Sequence, residues 1–397
     1  MRNYKDCTGC GACVQICPDG FCRFVFDSHG FFYPTCDGCS KKASCHLCDD
    51  VCPRMPVKEN EHSRMFACRA KDEKLILNGS SSGGIFQILA NTVIDNNGVV
   101  FGAVLNKDFK VMHQIARSRK ELAPLLGSKY VQSDTCNAYK QTREFIRIGK
   151  TVLFSGTPCQ IAGLKSFLGD DLSQSPHLLC IDLICHGVAS TGIWNDYVND
   201  QKKNEFNLGK LSKITFRFKD SNMPNDYNIQ LGYKNSTITR DSSNDDFYQQ
   251  FFKRYILRPS CYHCDFRGLS RKWTDISLGD FPKPDKLVPE IYSPYGTSLV
   301  ISHNEKGTDF FKRIENQLVN KEITDEMLNN ILETNPAIIS SHNKPEDYST
   351  FWAEYESRGY YASRVLAVPP TRKRKPTLVS LIRKSVKFVL RKTRIIR

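Results

Sequence analysis

Hydrophobic and polar positions follow two different periods between residues 65 and 350. Short apolar runs bounded by Gly, Pro or Asp predict six β-strands, which are GVVFGAVL, TVLFSGTP, HLLCIDLIC, KITFRFKD, DISLGDF and TSLVIS. Amphipathic stretches with helical spacing predict helices at SGGIFQILANTVID, CNAYKQTREFIRI and GTDFFKRIENQLV. Because strands and helices are interspersed, the sequence predicts an α/β (α+β) body built on a mixed sheet.

The segments on either side of this body have a different composition. Residues 1–57 contain ten of the seventeen cysteines, and the polar stretch VKENEHSRM separates them from the body. Prolines interrupt the chain before a final basic segment. With 397 residues there is room for two or three domains, so we predict a cysteine-rich domain at 1–57, a body at 65–350 and a tail at 369–397.

Charge is concentrated in the tail. The chain carries a formal net charge of +14, and residues 370–397 contain eleven Lys or Arg and no acidic residue, which leaves about +3 for the rest. The body composition therefore does not indicate nucleic-acid binding. No secretory signal or membrane-spanning run is predicted, so we expect a cytoplasmic protein whose clustered thiols bind metal or perform redox chemistry.

The first cysteine run, CTGCGACVQICP, has the C-x2-C-x2-C-x3-C-P spacing of two-cluster ferredoxins. In that arrangement three thiolates of one run hold a 4Fe-4S cluster, and the fourth crosses to the other cluster. The predicted ligands of the first cluster are Cys7, Cys10, Cys13 and Cys52. Those of the second are Cys17, Cys39, Cys45 and Cys48.

The second run is irregular, which leaves alternatives open. Lys42 occupies the position expected for its first thiol, so Cys39 is the nearest replacement and Cys36 competes with it. A zinc site is the other interpretation, because two C-x2-C pairs are present at Cys36–Cys39 and Cys45–Cys48. Cys22, and whichever of Cys36 and Cys39 is not a ligand, are interpreted as buried thiols.

The segment NGSSSGGIFQIL places serines and glycines immediately before an apolar helix pattern. Hydroxyl and backbone N–H groups at a helix start can bind an anion, although a serine-rich helix cap explains the same residues.

Several body motifs, taken in order, resemble one family. GSKYVQSD, VLFSGTPCQIAGLKSFL, DLICHGVAS, RPSCYHCDF and DISLGDF are similar to the coenzyme F420 hydrogenase/dehydrogenase beta-subunit family, whose bacterial members often carry an N-terminal two-cluster domain. The resemblance covers about residues 65–310. It implies an FAD site that includes Ser81, Ser82, Gly83, Gly84 and Lys129. It also implies a third cluster, held by Cys159, Cys185, Cys261 and Cys264, whereas Cys180 is interpreted as a core residue.

The chain departs from the family after the GDF motif, where Pro282 and Lys283 replace the usual tryptophan and glycine. This change affects the expected substrate face, and deazaflavin use does not carry over. His186 and Asp280 are interpreted as structural residues.

The resulting prediction is a flavin- and 4Fe-4S-dependent oxidoreductase. It would pass electrons from a ferredoxin-like donor through its clusters to FAD and an unidentified substrate, with a link to glycan synthesis as one option. The alternative is an electron-transfer subunit that serves the active site of a partner enzyme.

The last segment, TLVSLIRKSVKFVLRKTRII, predicts a basic amphipathic helix. Arg383, Lys384, Lys387, Arg391 and Arg394 share one side, and apolar residues gather on the other. Such a helix suits an anionic membrane surface and would hold the protein at the inner face of the membrane. A helix packed on the body, a disordered tail and a nucleic-acid arm are the alternatives.

Overall fold

A computed structural model of the chain describes residues 6–37, 45–53, 63–220 and 223–367. Cys39 and the basic segment 370–397 lie outside the described residues, so the expectations for them stay predictions.

The strands of the described chain are numbered in sequence order. They are β1 Cys22–Phe26, β2 Phe32–Cys36, β3 Arg64–Ala70, β4 Val99–Leu105, β5 Val111–Ala116, β6 Val152–Gly156, β7 Leu178–Leu183, β8 Leu211–Asp220, β9 Met223–Tyr233, β10 Thr237–Arg240, β11 Ile276–Asp280, β12 Ser298–Ser302 and β13 Leu318–Glu322.

The α-helices are numbered in the same way. They are α1 Ala12–Ile16, α2 Leu47–Asp50, α3 Glu73–Leu77, α4 Ile85–Asp95, α5 Arg119–Leu122, α6 Ala138–Arg147, α7 Pro158–Ser173, α8 Thr191–Lys202, α9 Glu205–Leu208, α10 Asp246–Phe252, α11 Pro284–Leu287, α12 Glu305–Ile314, α13 Asp325–Thr334, α14 Tyr348–Arg358 and α15 Tyr360–Ala367. None of the helices in the described part of the chain has the length and apolar character needed to span a bilayer.

A mixed sheet of eight strands forms the centre of the body, in the order β13-β3-β12-β11-β7-β6-β4-β5. Strands β4, β6, β7 and β11 pair in parallel, while β5, β12, β3 and β13 add antiparallel edges. The parallel strands read as nearly continuous apolar runs because helices cover both of their faces. The predicted mixed-sheet α/β body is confirmed.

The parallel pairing determines where the functional side chains collect. The carboxyl ends of β6, β7 and β11 lie at the same edge of the sheet. Cys159 follows β6, Cys185 follows β7, and Asp280 ends β11. In α/β sheets this edge is where ligands usually bind.

The six predicted strands and the three predicted helices are all present. The third helix, however, ends at Ile314, and its expected last residues belong to β13. Strand β3 was not expected, although it lies inside the sheet between β12 and β13.

The N-terminal segment packs directly on the body. Its two strands form a hairpin in which Cys22 faces Cys36, and the turn between them meets the start of α8. Gly30 and Gly192 touch there through their backbones, and a Cβ built on Gly192 would lie 2.9 Å from the Gly30 Cα. His29 also stacks on Trp352 of α14, with ring centroids 4.2 Å apart.

Candidate iron–sulfur and flavin sites

The four cysteines predicted for the first cluster lie together. Burial raises the pKa of the Cys10 thiol, and the charges of Cys13, Cys7 and Cys52 raise it further. Cys7 and Cys10 lie on the loop before α1 and Cys13 in its first turn, whereas Cys52 reaches the group from the end of α2. These four cysteines therefore lie near one another, and we name them the first cysteine group; their role as ligands stays a prediction.

A second group surrounds Cys48 and differs in part from the expected one. Burial raises the pKa of Cys48 to about 11, a hydrogen bond with Cys22 lowers it, and the charges of Cys13, Cys17 and Cys36 raise it. The Cys22 N–H also donates to the Cys17 Sγ at 3.4 Å. Cys17 and Cys48 therefore lie close together, and their role as ligands of one cluster stays a prediction.

The other two predicted ligands of the second group are Cys45 and Cys39. Cys45 is exposed to solvent, and Cys39 lies outside the described residues. Cys22 and Cys36 lie beside Cys48, so Cys36 remains a candidate ligand and Cys22 is a further thiol next to the site. The sequence signal for Cys22 is weak because it does not belong to a C-x2-C pair.

The four body cysteines line one cavity. Cys159, Cys185, Cys261 and Cys264 share its wall with Thr8, Arg267 and Arg271. Burial raises the pKa of Cys261, and the charges of Cys185, Cys264 and Cys159 raise it further. Cys159 lies at the start of α7, Cys185 follows β7, and the other two belong to the Pro259–His263 turn and the residue after it.

Two arginines give this cavity a positive wall. The charge of Arg271 is balanced by Asp182 at 2.8 Å, and both side chains are buried. Arg267 donates to the Ala337 carbonyl, but its buried Nε has no hydrogen-bond partner within the described residues. Burial raises the pKa of Cys185, while the charge of Arg267 acts in the opposite direction. Four thiols facing an unbalanced guanidinium fit an anionic iron–sulfur cluster.

Cys180 is placed as expected. It lies on β7 in the core and is fully buried, and burial raises its pKa to about 12. It does not line the cysteine cavity.

The serine–glycine segment forms a loop against the edge of the sheet. The Ser81 Oγ accepts a hydrogen bond from the Ser128 N–H at 2.6 Å, and the Ser82 Oγ donates to the Thr297 carbonyl at 3.0 Å. The buried hydroxyl of Thr297 has no partner in the described part of the chain. A buried hydroxyl group without a hydrogen-bond partner among the described residues therefore lies beside the loop.

Close packing requires a glycine at position 83, and the backbone conformation favours one at position 84. The Gly83 N–H donates to the Ser298 Oγ at 2.9 Å, and a Cβ on Gly83 would lie 2.6 Å from the Cys68 carbonyl oxygen. Gly84 has a φ of 88° at the start of α4, a conformation that favours glycine. The N–H of Gly83 is therefore engaged inside the protein, and the expected backbone cradle does not include it.

Cations supply the charge that the backbone does not. Burial lowers the pKa of Lys129 to about 7, and its Nζ donates to the carbonyls of Pro124 and Leu126 at 2.9 and 2.8 Å. Burial together with the charge of Arg217 lowers the pKa of Lys219 to about 7. The Lys219 Nζ donates to the Ser82 carbonyl at 2.9 Å.

Arg217 and Asp280 form the polar edge of this site. Their side chains are 2.6 Å apart, and Arg217 also donates to the Ser81 carbonyl at 2.7 Å. Although burial would raise the pKa of Asp280, the Arg217 guanidinium holds it below its usual value. Tyr227 donates to the same carboxylate at 3.1 Å. These contacts agree with a structural role for Asp280, and they also place its carboxylate beside the serine loop.

Sequence reasoning missed Arg217 and Lys219. Both lie on β8, where the alternation of KITFRFKD placed them only on the polar face of a strand. Arg217 occurs at a register shift between Phe216 and Phe218 and has a φ of 52°. A non-glycine residue in this conformation is often part of a functional site. Three cations against one carboxylate fit a negatively charged ligand such as the phosphates of FAD.

His186 lies next in sequence to the cysteine cavity. It follows Cys185, and its ring stacks on His342 with centroids 5.6 Å apart. Burial lowers its pKa, and the charges of Arg267 and Asp280 act on it from opposite sites. Since β7 and β11 pair in parallel with Leu183 beside Leu278, Cys185 of the cavity and Asp280 of the serine-loop site lie at the ends of neighbouring strands.

The cysteines of these groups lie close together, but among the described residues no three His, Cys, Asp or Glu side chains are arranged as ligands of one metal ion.

Comparison with known proteins finds a family match within the body. Residues 149–326 match the family model for the C terminus of the coenzyme F420 hydrogenase/dehydrogenase beta subunit. The uncharacterized protein MJ1349 of Methanocaldococcus jannaschii is 25% identical over 360 residues, which cover 79% of this chain and 90% of that protein.

Among solved structures, a chain of the F420-reducing NiFe hydrogenase complex from Methanosarcina barkeri aligns with 16% identity and a TM-score of 0.45. The alignment covers 71% of this chain and 92% of that chain. Residues 149–326 of this chain are therefore similar to the C terminus of the beta subunit in the coenzyme F420 hydrogenase/dehydrogenase family.

Proposed function

We propose that this protein is an iron–sulfur flavoprotein oxidoreductase. Electrons from a ferredoxin-like donor would enter at the N-terminal cysteine groups, pass to the cysteine cavity of the body and reach FAD beside the serine loop. The family supports the oxidoreductase class. A flavin exchanges one or two electrons, so it connects single-electron iron–sulfur transfer to two-electron substrate chemistry.

One observation carries this proposal. The first cysteine group is in direct contact with the body cavity: Thr8 lines the cavity, and the charge of Cys10 is among those that raise the pKa of the buried Cys159. A Cβ on Gly163 of α7 would lie 2.9 Å from the Cys10 Sγ, which shows how closely α7 approaches the loop. The first cysteine group therefore lies beside the body cavity, as electron transfer between clusters held there would require.

The proposed ligands follow from the spacing and the placement. The first cluster would use Cys7, Cys10, Cys13 and Cys52, and the body cluster would use Cys159, Cys185, Cys261 and Cys264. For the second N-terminal cluster we retain Cys17, Cys45 and Cys48, with Cys36 or Cys39 as the fourth ligand.

FAD would bind beside residues 81–84, with Lys129 and Lys219 supplying positive charge and Arg217 bridging Ser81 and Asp280. The partly exposed carboxylate of Asp280 gives the site an opening to solvent, where a substrate could approach.

Electron transfer within the isolated chain tests the function. We expect reduced ferredoxin to bleach the flavin absorbance of the full chain, and we expect this reaction to be much slower in Cys185→Ala that retains its FAD. Flavin reduction at an equal rate in both proteins would contradict the proposed route. Turnover with candidate acceptors would then separate a complete enzyme from a subunit that serves a partner enzyme.

A further inference from the structure

The backbone loop of the first cysteine group is held by body side chains at four consecutive carbonyls. The Cys7 carbonyl accepts from Arg258 at 2.7 Å, and those of Thr8 and Gly9 accept from Gln132 at 2.8 and 3.4 Å. The Cys10 carbonyl accepts from Tyr139 at 2.7 Å. With its carbonyls directed to the body, the loop places the Gly9 N–H 3.4 Å from the Cys7 Sγ.

Arg258 is the unusual member of this clamp. Its side chain is fully buried, and its three hydrogen bonds end on neutral oxygens: the Cys7 carbonyl, the Gln132 side chain at 2.8 Å and the Phe32 carbonyl at 2.9 Å. Its guanidinium lies 4.3 Å from the centre of the Tyr33 ring. No carboxylate of the described residues forms an ion pair with it.

A buried charge without a partner is costly, so a buried arginine normally lies next to an anion. Four thiolates and an iron–sulfur core would supply such an anion at the first cysteine group. The charge of a cluster becomes more negative when it is reduced, and a nearby fixed cation favours the reduced form.

We propose that Arg258 is a positioning residue for the first cysteine group, whose permanent charge balances the cluster there and raises its reduction potential. Arg258 comes from the body, three residues before Cys261 of the cavity. The body therefore sets the potential of the cluster from which it receives electrons. This inference rests on the proposed function, because it needs an iron–sulfur cluster at that group.

The test is a redox titration of the full chain, followed by EPR after anaerobic reconstitution with iron and sulfide. In Arg258→Gln we expect one midpoint potential to fall and the others to stay unchanged. Arg258→Lys, which keeps the charge, should restore most of the lost potential. Arg69→Gln is the matched control, since Arg69 also donates to backbone carbonyls but lies on β3 beside Ile291.

If the Arg258→Gln protein takes up no iron, the Gln132→Glu variant provides a second test. It leaves the arginine in place and puts a carboxylate against it, so the same midpoint potential should fall. Unchanged potentials in both Arg258→Gln and Gln132→Glu, with clusters present, would overturn the role of Arg258 and leave the proposed function standing. A wild-type chain that takes up no iron would overturn both.

Discussion

At the scale of single residues, the flavin proposal depends on cations that have no carboxylate of their own. Lys129 and Lys219 each donate to backbone carbonyls, and burial lowers the pKa of each to about 7. Bound phosphate would favour the protonated amines, whereas the empty site loses those protons as the pH rises through 7.

FAD affinity should therefore depend on pH. It should be nearly constant below pH 6 and weaken above pH 7, by up to about tenfold per pH unit for each lysine whose proton is required. Lys129→Met should weaken binding at pH 6 and flatten this dependence. Lys165→Met is the control, because its amine also donates to a backbone carbonyl, that of Ser173, away from the loop. Fluorescence titration of FAD measures each affinity, and an affinity that does not change between pH 6 and 9 would argue against the site.

The body cysteines permit a matched comparison of two neighbours. Cys185→Ala should lower the iron content by about four atoms per chain, the content of one 4Fe-4S cluster. Cys180→Ala, five residues earlier on β7, should leave iron unchanged, because Cys180 lies in the core and outside the cavity. Iron analysis of both variants tests whether the cavity holds a cluster. Equal iron in Cys185→Ala and the wild type would exclude a cluster in this cavity.

At the scale of elements, the contact between the cysteine hairpin and α8 holds the N-terminal segment in place. Gly192→Ala would push its methyl group against the Gly30 backbone, which cannot move aside as a side chain can. We expect a loss of about 1–3 kcal/mol in the free energy of unfolding. Hydrogen exchange should also become faster in residues 22–36. Gly232→Ala on β9 is the control, since its methyl group would meet the Lys213 side chain at 3.3 Å. Equal exchange in the two variants would show that the hairpin does not depend on this contact.

Some of these elements could be predicted from the sequence, and others could not. Apolar runs such as HLLCIDLIC predicted the parallel strands well, because those strands are covered on both faces. Strand β3, RMFACRA, was missed because it follows a polar stretch and contains two arginines. The end of α12 was missed because the apolar residues of a following strand continue its pattern.

The residues of the candidate sites also fall into those that the sequence predicted and those that it did not. Local spacing was enough to group Cys7, Cys10 and Cys13, and the crossing by Cys52 followed from the ferredoxin pattern. Arg217 and Lys219 had no local signal, and Arg258 stood in the RPSCYHCDF motif without an assigned role, because each acquires its role only when distant strands and loops meet. Tertiary contacts of this kind are not encoded in any short motif.

At the scale of the whole molecule, the basic segment 370–397 extends the proposal beyond the described residues. We expect the full chain to float with anionic vesicles, and less so at high salt, because cations and apolar residues would both contact the membrane surface. A chain ending at Pro370 should stay in solution. Flotation on a density gradient measures the difference. Identical behaviour of the two chains would show that the basic segment does not bind the membrane surface.

The central claim is that one chain joins three iron–sulfur sites to a flavin site. Its most direct test is metal and flavin analysis of the full chain purified without oxygen. The account predicts about twelve iron atoms, four for each cluster, together with one noncovalent FAD. Stoichiometric zinc in place of iron, or a chain that neither contains nor takes up FAD, would contradict it.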